Sequence, residues 1–157
     1  ADEALTSGGV IILITAGGGA LGGMLRTAGI QDSVAKLIGT GEQNTGLAIL
    51  ALAFAVSSLV KFAQGSCTVA VITASSMFAA MGITSEMLGC NVVYLATAIC
   101  SGSLVGDWMN DSGFWVVARM SVLTEIETLK SFTIITGVVG LTGFAVTLVF
   151  AKLLPLA

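Results

Sequence analysis

The chain has 157 residues, of which 55% are hydrophobic and only 10% are charged, and its formal net charge is -3. A soluble domain would carry about 25% charged residues, so this composition excludes an ordinary soluble domain. The net charge says nothing about nucleic acid, and no basic run suggests such a partner, so we expect none. Long apolar windows approach the ~20 residues of a membrane-spanning helix, which indicates an integral membrane protein in a lipid bilayer.

The cysteine and histidine content narrows the possible chemistry. Cys67, Cys90 and Cys100 lie in apolar windows without Cys-x-x-Cys spacing, which predicts small buried side chains rather than disulfides or a metal site. The sequence has no histidine, so a histidine triad, relay or zinc site is excluded. No pair of nucleophile and base is visible, and we expect neither an enzyme nor a cofactor.

The first 45 residues suggest a piece of a longer protein. The chain starts at Ala1 with an acidic lead-in and has no basic secretory signal, so we expect a fragment or a processed product. Residues 8–25 predict a membrane helix that becomes glycine-rich at residues 17–19, as either a helix break or a tight helix contact. Residues 26–45 are polar with apolar residues at helical spacing, which predicts a helix along the membrane surface.

Two apolar segments around a polar tip follow. Residues 46–61 are apolar but only about long enough to enter the bilayer, residues 62–68 (FAQGSCT) are polar and small, and residues 69–81 are apolar again. This pattern predicts a re-entrant helical hairpin over residues 46–82. Irregular backbone at membrane depth is tolerated only where it is buried in protein or lines a cavity. Beyond the hairpin, Thr84 or Ser85 is the expected cap of the next helix.

The stretch Ser101–Trp115 (SGSLVGDWMNDSGFW) interrupts an otherwise apolar segment, so we predict a broken membrane helix over residues 87–120. It places Asp107 and Asp111 beside apolar sequence, where ionisable groups usually face a partner, a cavity or a substrate path. Asp111 is expected to cap the helix that starts at Gly113, to contact a ligand or a proton, or to do both. For Asp107 we favour a place at the water interface over a buried proton carrier.

A short amphipathic helix and a final span complete the chain. Thr124 and Glu127 stand at capping-box spacing, so a helix should begin there. Residues 132–154 predict a transmembrane helix that ends near Lys152 and the only proline, Pro155. Because that proline lies at the end, the earlier interruptions are made by Gly, Ser, Asn and Asp. These residues leave backbone and side-chain groups available to a ligand.

Several motifs resemble one family of transporters. Residues 61–70 (KFAQGSCTVA) and 102–115 (GSLVGDWMNDSGFW) are similar to the C-terminal part of the gluconate permease family. That family comprises bacterial symporters for gluconate and related hydroxy-acids, within the larger ion transporter superfamily. The glycine-rich residues 17–29 and the sequence TLK at residues 128–130 fit the same family, and NDSGFW at residues 110–115 is the most specific piece.

The resemblance implies an all-α integral membrane protein with two inverted repeats, each carrying a hairpin and a broken helix. Family members are far longer, so this chain corresponds to one half, and we expect transport to need the remaining half. The implied activity is proton-driven symport of a small organic anion across the bacterial inner membrane, by a multi-pass protein. Na⁺ as the coupling ion and a homodimer are left open. Better-known members have Ser-His where this chain has Asp107-Trp108, which removes one proton carrier and adds a carboxylate.

On this comparison, the hairpin tip and the broken helix form two walls of one site. Helix N-termini within the membrane present backbone N–H groups and positive dipole ends to an anionic substrate. Asp111 or Asp107 would carry the coupling proton. The expected substrate-binding residues are Lys61, Gly65, Ser66, Thr68, Ser101, Gly102, Ser103, Asn110, Asp111 and Ser112.

Purely structural roles compete with these assignments. At the tip, Ser66 and Thr68 would satisfy hairpin backbone, although their polar surroundings favour ligand contact. In the broken helix, Ser101 and Ser103 would join neighbouring helices by hydrogen bonds. All four side chains are small and polar, so each is compatible with either role.

Lys61 and the tryptophans also have ordinary membrane roles. By default Lys61 snorkels to the surface, and otherwise it pairs with an aspartate or attracts a carboxylate. At least one of Trp108 and Trp115 is expected in an interfacial aromatic belt. A different class of function is a small membrane assembly or channel subunit, in which the glycines serve packing alone and conductance does not saturate.

Overall fold

The computed structural model describes residues 42–156, with side chains from residue 46 onward. It also describes six earlier positions: Ile12, Ala16, Ala20, Met24, Thr27 and Ala28. Apart from those positions and residues 42–45, the membrane helix predicted at residues 8–25 and the surface helix predicted at residues 26–45 lie outside the described residues. Residues 42–156 form helices and loops without a β-strand, which confirms the predicted all-α class.

Seven α-helices and one π-helical turn make up residues 42–156. They are α1 (Glu42–Gln64), α2 (Cys67–Met81), α3 (Ser85–Leu88), α4 (Val93–Ser103), α5 (Ser112–Met120), α6 (Glu125–Thr128), the π-helical turn (Leu129–Thr133) and α7 (Ile134–Leu153). Within this part of the chain, Gly46–Gln64 and Glu125–Leu153 are long and apolar enough to cross a membrane.

The predicted hairpin tip lies between α1 and α2. Gly65 ends α1 in the left-handed region, with φ at 72°. Ser66 caps α2, because its side chain accepts a hydrogen bond from the main-chain N–H of Val69 at 3.4 Å. The two helices pack against each other. However, α1 is long enough to cross a membrane by itself, unlike the half-length arm expected, so the re-entrant path over residues 46–82 stays a prediction.

The chain is not helical between Ser103, where α4 ends, and Ser112, where α5 begins. This gap lies inside the stretch whose small polar residues indicate an interruption. The segment before α4 differs from the continuous helix expected from residue 87. There, α3 is a separate short helix that Thr84 caps and that ends at Gly89, whose φ of 63° is left-handed. A left-handed glycine after the last turn is a common way to end a helix.

The final helix begins earlier than residue 132. Thr124 and Glu127 form the predicted capping box, in which each side chain bonds to the main-chain N–H of the other residue. From there α6, the π-helical turn and α7 follow without a break as far as Leu153. The expected short amphipathic helix is therefore the first part of the last helical run, since residues 125–153 form one apolar helix that is long enough to cross a membrane.

Small residues let α4 approach its neighbours closely. Ser57 in α1 donates a hydrogen bond to the carbonyl of Ile99 in α4 at 2.7 Å. A Cβ at Gly102 would overlap the carbonyl oxygen of Phe54, so the two backbones are in contact there. On the side of α7, Gly140 lies against the backbone of Ser101. Such contacts between small residues are typical of membrane helices, where packing drives association.

Gly102→Ala is therefore expected to destabilise the folded protein by about 1–3 kcal/mol, because the new methyl group must displace the backbone of α1. Gly137→Ala in α7 is the matched control, since no atom lies within 4 Å of a Cβ at that position. Thermal unfolding of both variants in one detergent measures the difference. Equal melting temperatures would contradict the close contact at Gly102.

Candidate functional site

Lys61, in the last turn of α1, is the centre of the site. Its side chain is fully buried, and its Nζ forms ion pairs with the carboxylates of Asp107 and Asp111. The default expectation that Lys61 snorkels to the surface is therefore wrong, and pairing with aspartate is the role that the structure shows. A buried charge is costly without a partner, so the ammonium and the carboxylates each make the burial of the other tolerable.

Asp107 lies in the loop between α4 and α5, with only 7% of its surface exposed. Its Oδ1 faces Lys61, and the Sγ of Cys67 lies 4.0 Å from the same oxygen. The hydroxyl of Thr133 donates a hydrogen bond to the main-chain carbonyl of Asp107 at 2.5 Å. The favoured position of Asp107 at the water interface is therefore wrong, because the side chain is enclosed among other parts of the protein.

Asp111 has the capping role expected of it and is also paired with Lys61. Its Oδ1 accepts a hydrogen bond from the main-chain N–H of Gly113 at 2.6 Å and so caps α5. Its Oδ2 pairs with Lys61. The carboxylate also lies at the positive end of the α5 dipole, which favours a negative charge. Asp111 therefore joins the start of α5 to the end of α1.

The C-terminal end of α1 is tied to the loop through the carbonyl of Phe62. The indole N–H of Trp108 and the side-chain amide of Asn110 donate hydrogen bonds to it, at 3.2 Å and 2.8 Å. The rings of Phe62 and Trp108 are stacked, with centroids 5.3 Å apart. The last carbonyls of a helix have no partner within that helix, and the loop supplies one here. Trp108 is thus part of the site, whereas its expected place in an aromatic belt stays a prediction.

The hairpin tip contacts the same loop. A Cβ at Gly65 would overlap the carbonyl of Asn110, so the two backbones touch. Ser66 is half-buried and caps α2, and Cys67 is half-buried beside Asp107. Thr68 points away to an exposed position. The tip and the broken helix therefore meet, as the two-wall arrangement requires.

The structure separates the expected site residues into three groups. The first group lies at the junction, where the hairpin tip meets the loop between α4 and α5. It comprises Lys61, Gly65, Ser66, Asn110 and Asp111, together with Asp107. The hydroxyl groups of Ser101 and Ser103 donate hydrogen bonds to carbonyls within α4, each at 2.8 Å, and Gly102 contacts α1.

Both hydroxyls therefore bond within α4, and not to a neighbouring helix as expected, whereas Gly102 lies in the contact with α1. Ser112 is exposed at the start of α5, as Thr68 is at the start of α2. An exposed side chain at a helix start remains accessible to a ligand, whereas the packed hydroxyls of α4 do not reach the junction.

Four residues of the junction are not among the site residues expected from the sequence. They are Phe62, Cys67, Trp108 and Thr133, which contact the loop or belong to it, through a carbonyl, a thiol, an indole and a hydroxyl respectively. Cys67 stands between two selected positions of the tip, so its place in the sequence was a usable signal. A main-chain carbonyl and a threonine in a distant helix give no such signal.

The side-chain donors of Cys67, Asp107 and Asp111 lie within 4.8 Å of one another. A metal ion shared by both carboxylates would have to occupy the place of the Lys61 ammonium, which contacts both of them. We therefore assign the cluster to ion pairing. The expected absence of a cofactor stays a prediction.

Interrupted helices in an apolar chain, with charged side chains buried at the interruption, are features typical of membrane transport proteins. The sequence model of the "GntP family permease" matches residues 1–153. The chain therefore belongs to the GntP permease family, which confirms the resemblance seen in its motifs. The relatives in this family are named permeases and transporters, not enzymes, as the sequence led us to expect.

Three relatives illustrate the similarity. The chain is 34% identical to "Inner membrane permease YgbN" of Escherichia coli K12, over 92% of this chain and 31% of the relative. It is 36% identical to an "Uncharacterized permease" of Haemophilus influenzae, over 96% of this chain and 31% of the relative. It is 31% identical to the "Low-affinity gluconate transporter" of Escherichia coli K12, over 97% of this chain and 33% of the relative.

The chain spans about a third of the length of the curated relatives it matches. No solved structure matches it significantly.

Proposed function

We propose that the chain is part of a bacterial inner-membrane permease that carries gluconate or a related hydroxycarboxylate in symport with protons. Several relatives are named gluconate transporters or permeases. The observation that carries the proposal is the buried ion cluster of Lys61, Asp107 and Asp111 at the junction of the hairpin tip and the broken helix. In this cluster the cation would attract an anionic substrate, and the carboxylates would bind a proton.

The substrate carboxylate would bind near the starts of α2 and α5. Both helices begin beside the cluster, since Cys67 opens α2 next to Asp107 and Asp111 caps α5. The first N–H groups of a helix lack partners within the helix and attract anions. Lys61 would supply the full positive charge. Ser66, Thr68, Asn110 and Ser112 stand at these helix starts, where they would bind hydroxyl groups of the substrate.

The coupling proton would bind to the carboxylates of the cluster. With Lys61, Asp107 and Asp111 all ionised, the cluster has one net negative charge. A buried negative charge favours the uptake of a proton or another cation. In this proposal the cation is H⁺, carried by one of the two aspartates, and Na⁺ is the alternative that the experiment must exclude.

The rest of the transporter would complete the site. In transporters with inverted repeats, the substrate lies between two halves near the middle of the membrane. The chain would supply the wall that contains Lys61, and the remaining half would supply the opposite wall. A homodimer of complete transporters is compatible with this arrangement.

Uptake of radiolabelled gluconate into liposomes tests the proposal, with the transporter reconstituted as the cell expresses it. We expect saturable uptake that follows an inward proton gradient, that a protonophore abolishes and that is unchanged when potassium replaces sodium. A requirement for sodium would contradict proton coupling. Conductance that does not saturate with gluconate would instead favour a channel.

A further inference from the structure

We infer that the two aspartates have different roles. Asp107 takes up the coupling proton, whereas Asp111 stays ionised and holds Lys61 in place. When Asp107 is protonated, its ion pair with Lys61 is lost and the substrate carboxylate takes its place on the ammonium. This inference rests on the proposed function and names the residue that binds the proton.

Asp111 is built to keep its charge. One carboxylate oxygen accepts the N–H of Gly113 at 2.6 Å and the other faces Lys61. A hydrogen bond from a main-chain N–H stabilises the ionised form of a carboxylate, and so does the positive end of a helix dipole. Protonation of Asp111 would weaken the cap of α5 and one ion pair of Lys61 at once. Asp111 is therefore poorly suited to carry the coupling proton and well suited to hold Lys61 in place.

Asp107 lacks this support. Among the described residues, no main-chain N–H donates to its carboxylate, which is buried and contacts the side chains of Lys61 and Cys67. It caps no helix, and its loop is held through its main-chain carbonyl by Thr133. Its carboxylate can therefore gain a proton without releasing the loop. Burial without backbone hydrogen bonds favours the neutral form of a carboxylic acid.

The charged and titratable groups around Asp107 come from three parts of the fold. Lys61 faces it from α1, the thiol of Cys67 from α2, and Asp111 from the end of its own loop. The π-helical turn contributes the hydroxyl of Thr133, which carries no charge. Lys61 stabilises the ionised form, whereas Asp111 and burial oppose it, so the charge of Asp107 depends on where the ammonium of Lys61 lies.

The charges explain why proton and substrate would move together. The empty cluster has one net negative charge when Asp107 is ionised. A monovalent anion that binds without a proton would raise this to two, in surroundings that solvate charge poorly. Binding of the anion together with one proton leaves the net charge at one negative. Each ligand therefore favours the other, as linkage between two binding equilibria requires.

Asp107→Asn and Asp111→Asn, compared in reconstituted liposomes, test this division. Two quantities are measured for each: gluconate exchange without a pH gradient, and accumulation driven by a pH gradient. For Asp107→Asn we expect accumulation to fall at least about tenfold more than exchange does. Its affinity for gluconate should also lose the dependence on pH that the unmodified protein shows. Asp111→Asn should lose both exchange and accumulation.

Accumulation that persists in Asp107→Asn would overturn the inference, as would exchange without accumulation in Asp111→Asn alone. Asp107→Ser, which is neutral and smaller, replaces Asp107→Asn if that variant does not fold. The unmodified protein should also take up about one proton per gluconate bound, measured in weak buffer, and binding without proton uptake would overturn the inference. If the unmodified protein neither binds nor exchanges gluconate, the proposed function fails and the inference with it.

Discussion

Lys61→Met is expected to abolish transport and to destabilise the folded protein by about 3–5 kcal/mol, because it leaves two buried carboxylates without their cation. Methionine keeps much of the length of the side chain, so the change removes mainly charge. Lys61 is fully buried and is paired with both Asp107 and Asp111. Thermal unfolding in detergent and gluconate uptake in liposomes measure the two effects.

Two further variants separate charge from packing. Lys152→Met makes the same substitution at an exposed lysine and should change stability by less than about 0.5 kcal/mol. The triple variant Lys61→Met/Asp107→Asn/Asp111→Asn removes all three charges, so it should recover most of the lost stability while transport stays absent. A Lys61→Met protein as stable as the unmodified one would contradict the buried ion cluster.

Local signals in the sequence were sufficient for the helix starts. Thr124 and Glu127 are three residues apart, and Asp111 directly precedes the helix that it caps, so spacing alone predicts these contacts. The overall helical class also follows from composition, because apolar windows of this length have few other stable forms in a membrane. These predictions needed no knowledge of which helices are neighbours.

The role of Lys61 could not be predicted in the same way. Its partner Asp111 is fifty residues away in the sequence, and nothing local indicates that the two meet. A lysine at the end of an apolar segment is expected, when considered alone, to extend its ammonium group to the membrane surface. Once its charge is compensated inside the protein, the helix can continue past it, and α1 does so as far as Gln64. The shorter arm was expected because residues 62–68 are polar and small, yet residues 62–64 belong to α1.

The same reasoning applies to Asp107. Its burial depends on Lys61 from α1 and on Thr133 from the last helix, which lie on opposite sides of it in the sequence. Without those neighbours, a carboxylate beside apolar sequence is more stable in water, which is why the interface was favoured. The polar groups of the junction can therefore be buried only when all of their partners are present.

Gly65→Ala is expected to reduce kcat/KM for gluconate about a hundredfold, because it moves the hairpin tip relative to the broken helix. The new methyl group would overlap the carbonyl of Asn110, and the residue would keep a left-handed φ of 72° only with strain. Asn110 also bonds to Phe62, next to Lys61, so a shift at the tip reaches the ion cluster. Initial uptake rates over a range of gluconate concentrations measure the change.

Gly89→Ala is the matched control for the backbone strain. Gly89 has a left-handed φ of 63°, but no atom lies within 4 Å of a Cβ there. Both variants should therefore lose about 1–2 kcal/mol of stability from the left-handed conformation, and only Gly65→Ala should also lose transport. If the two variants transported gluconate equally well, the contact between Gly65 and Asn110 would not position the site. If Gly89→Ala lost transport as well, strain at any helix end would explain the defect.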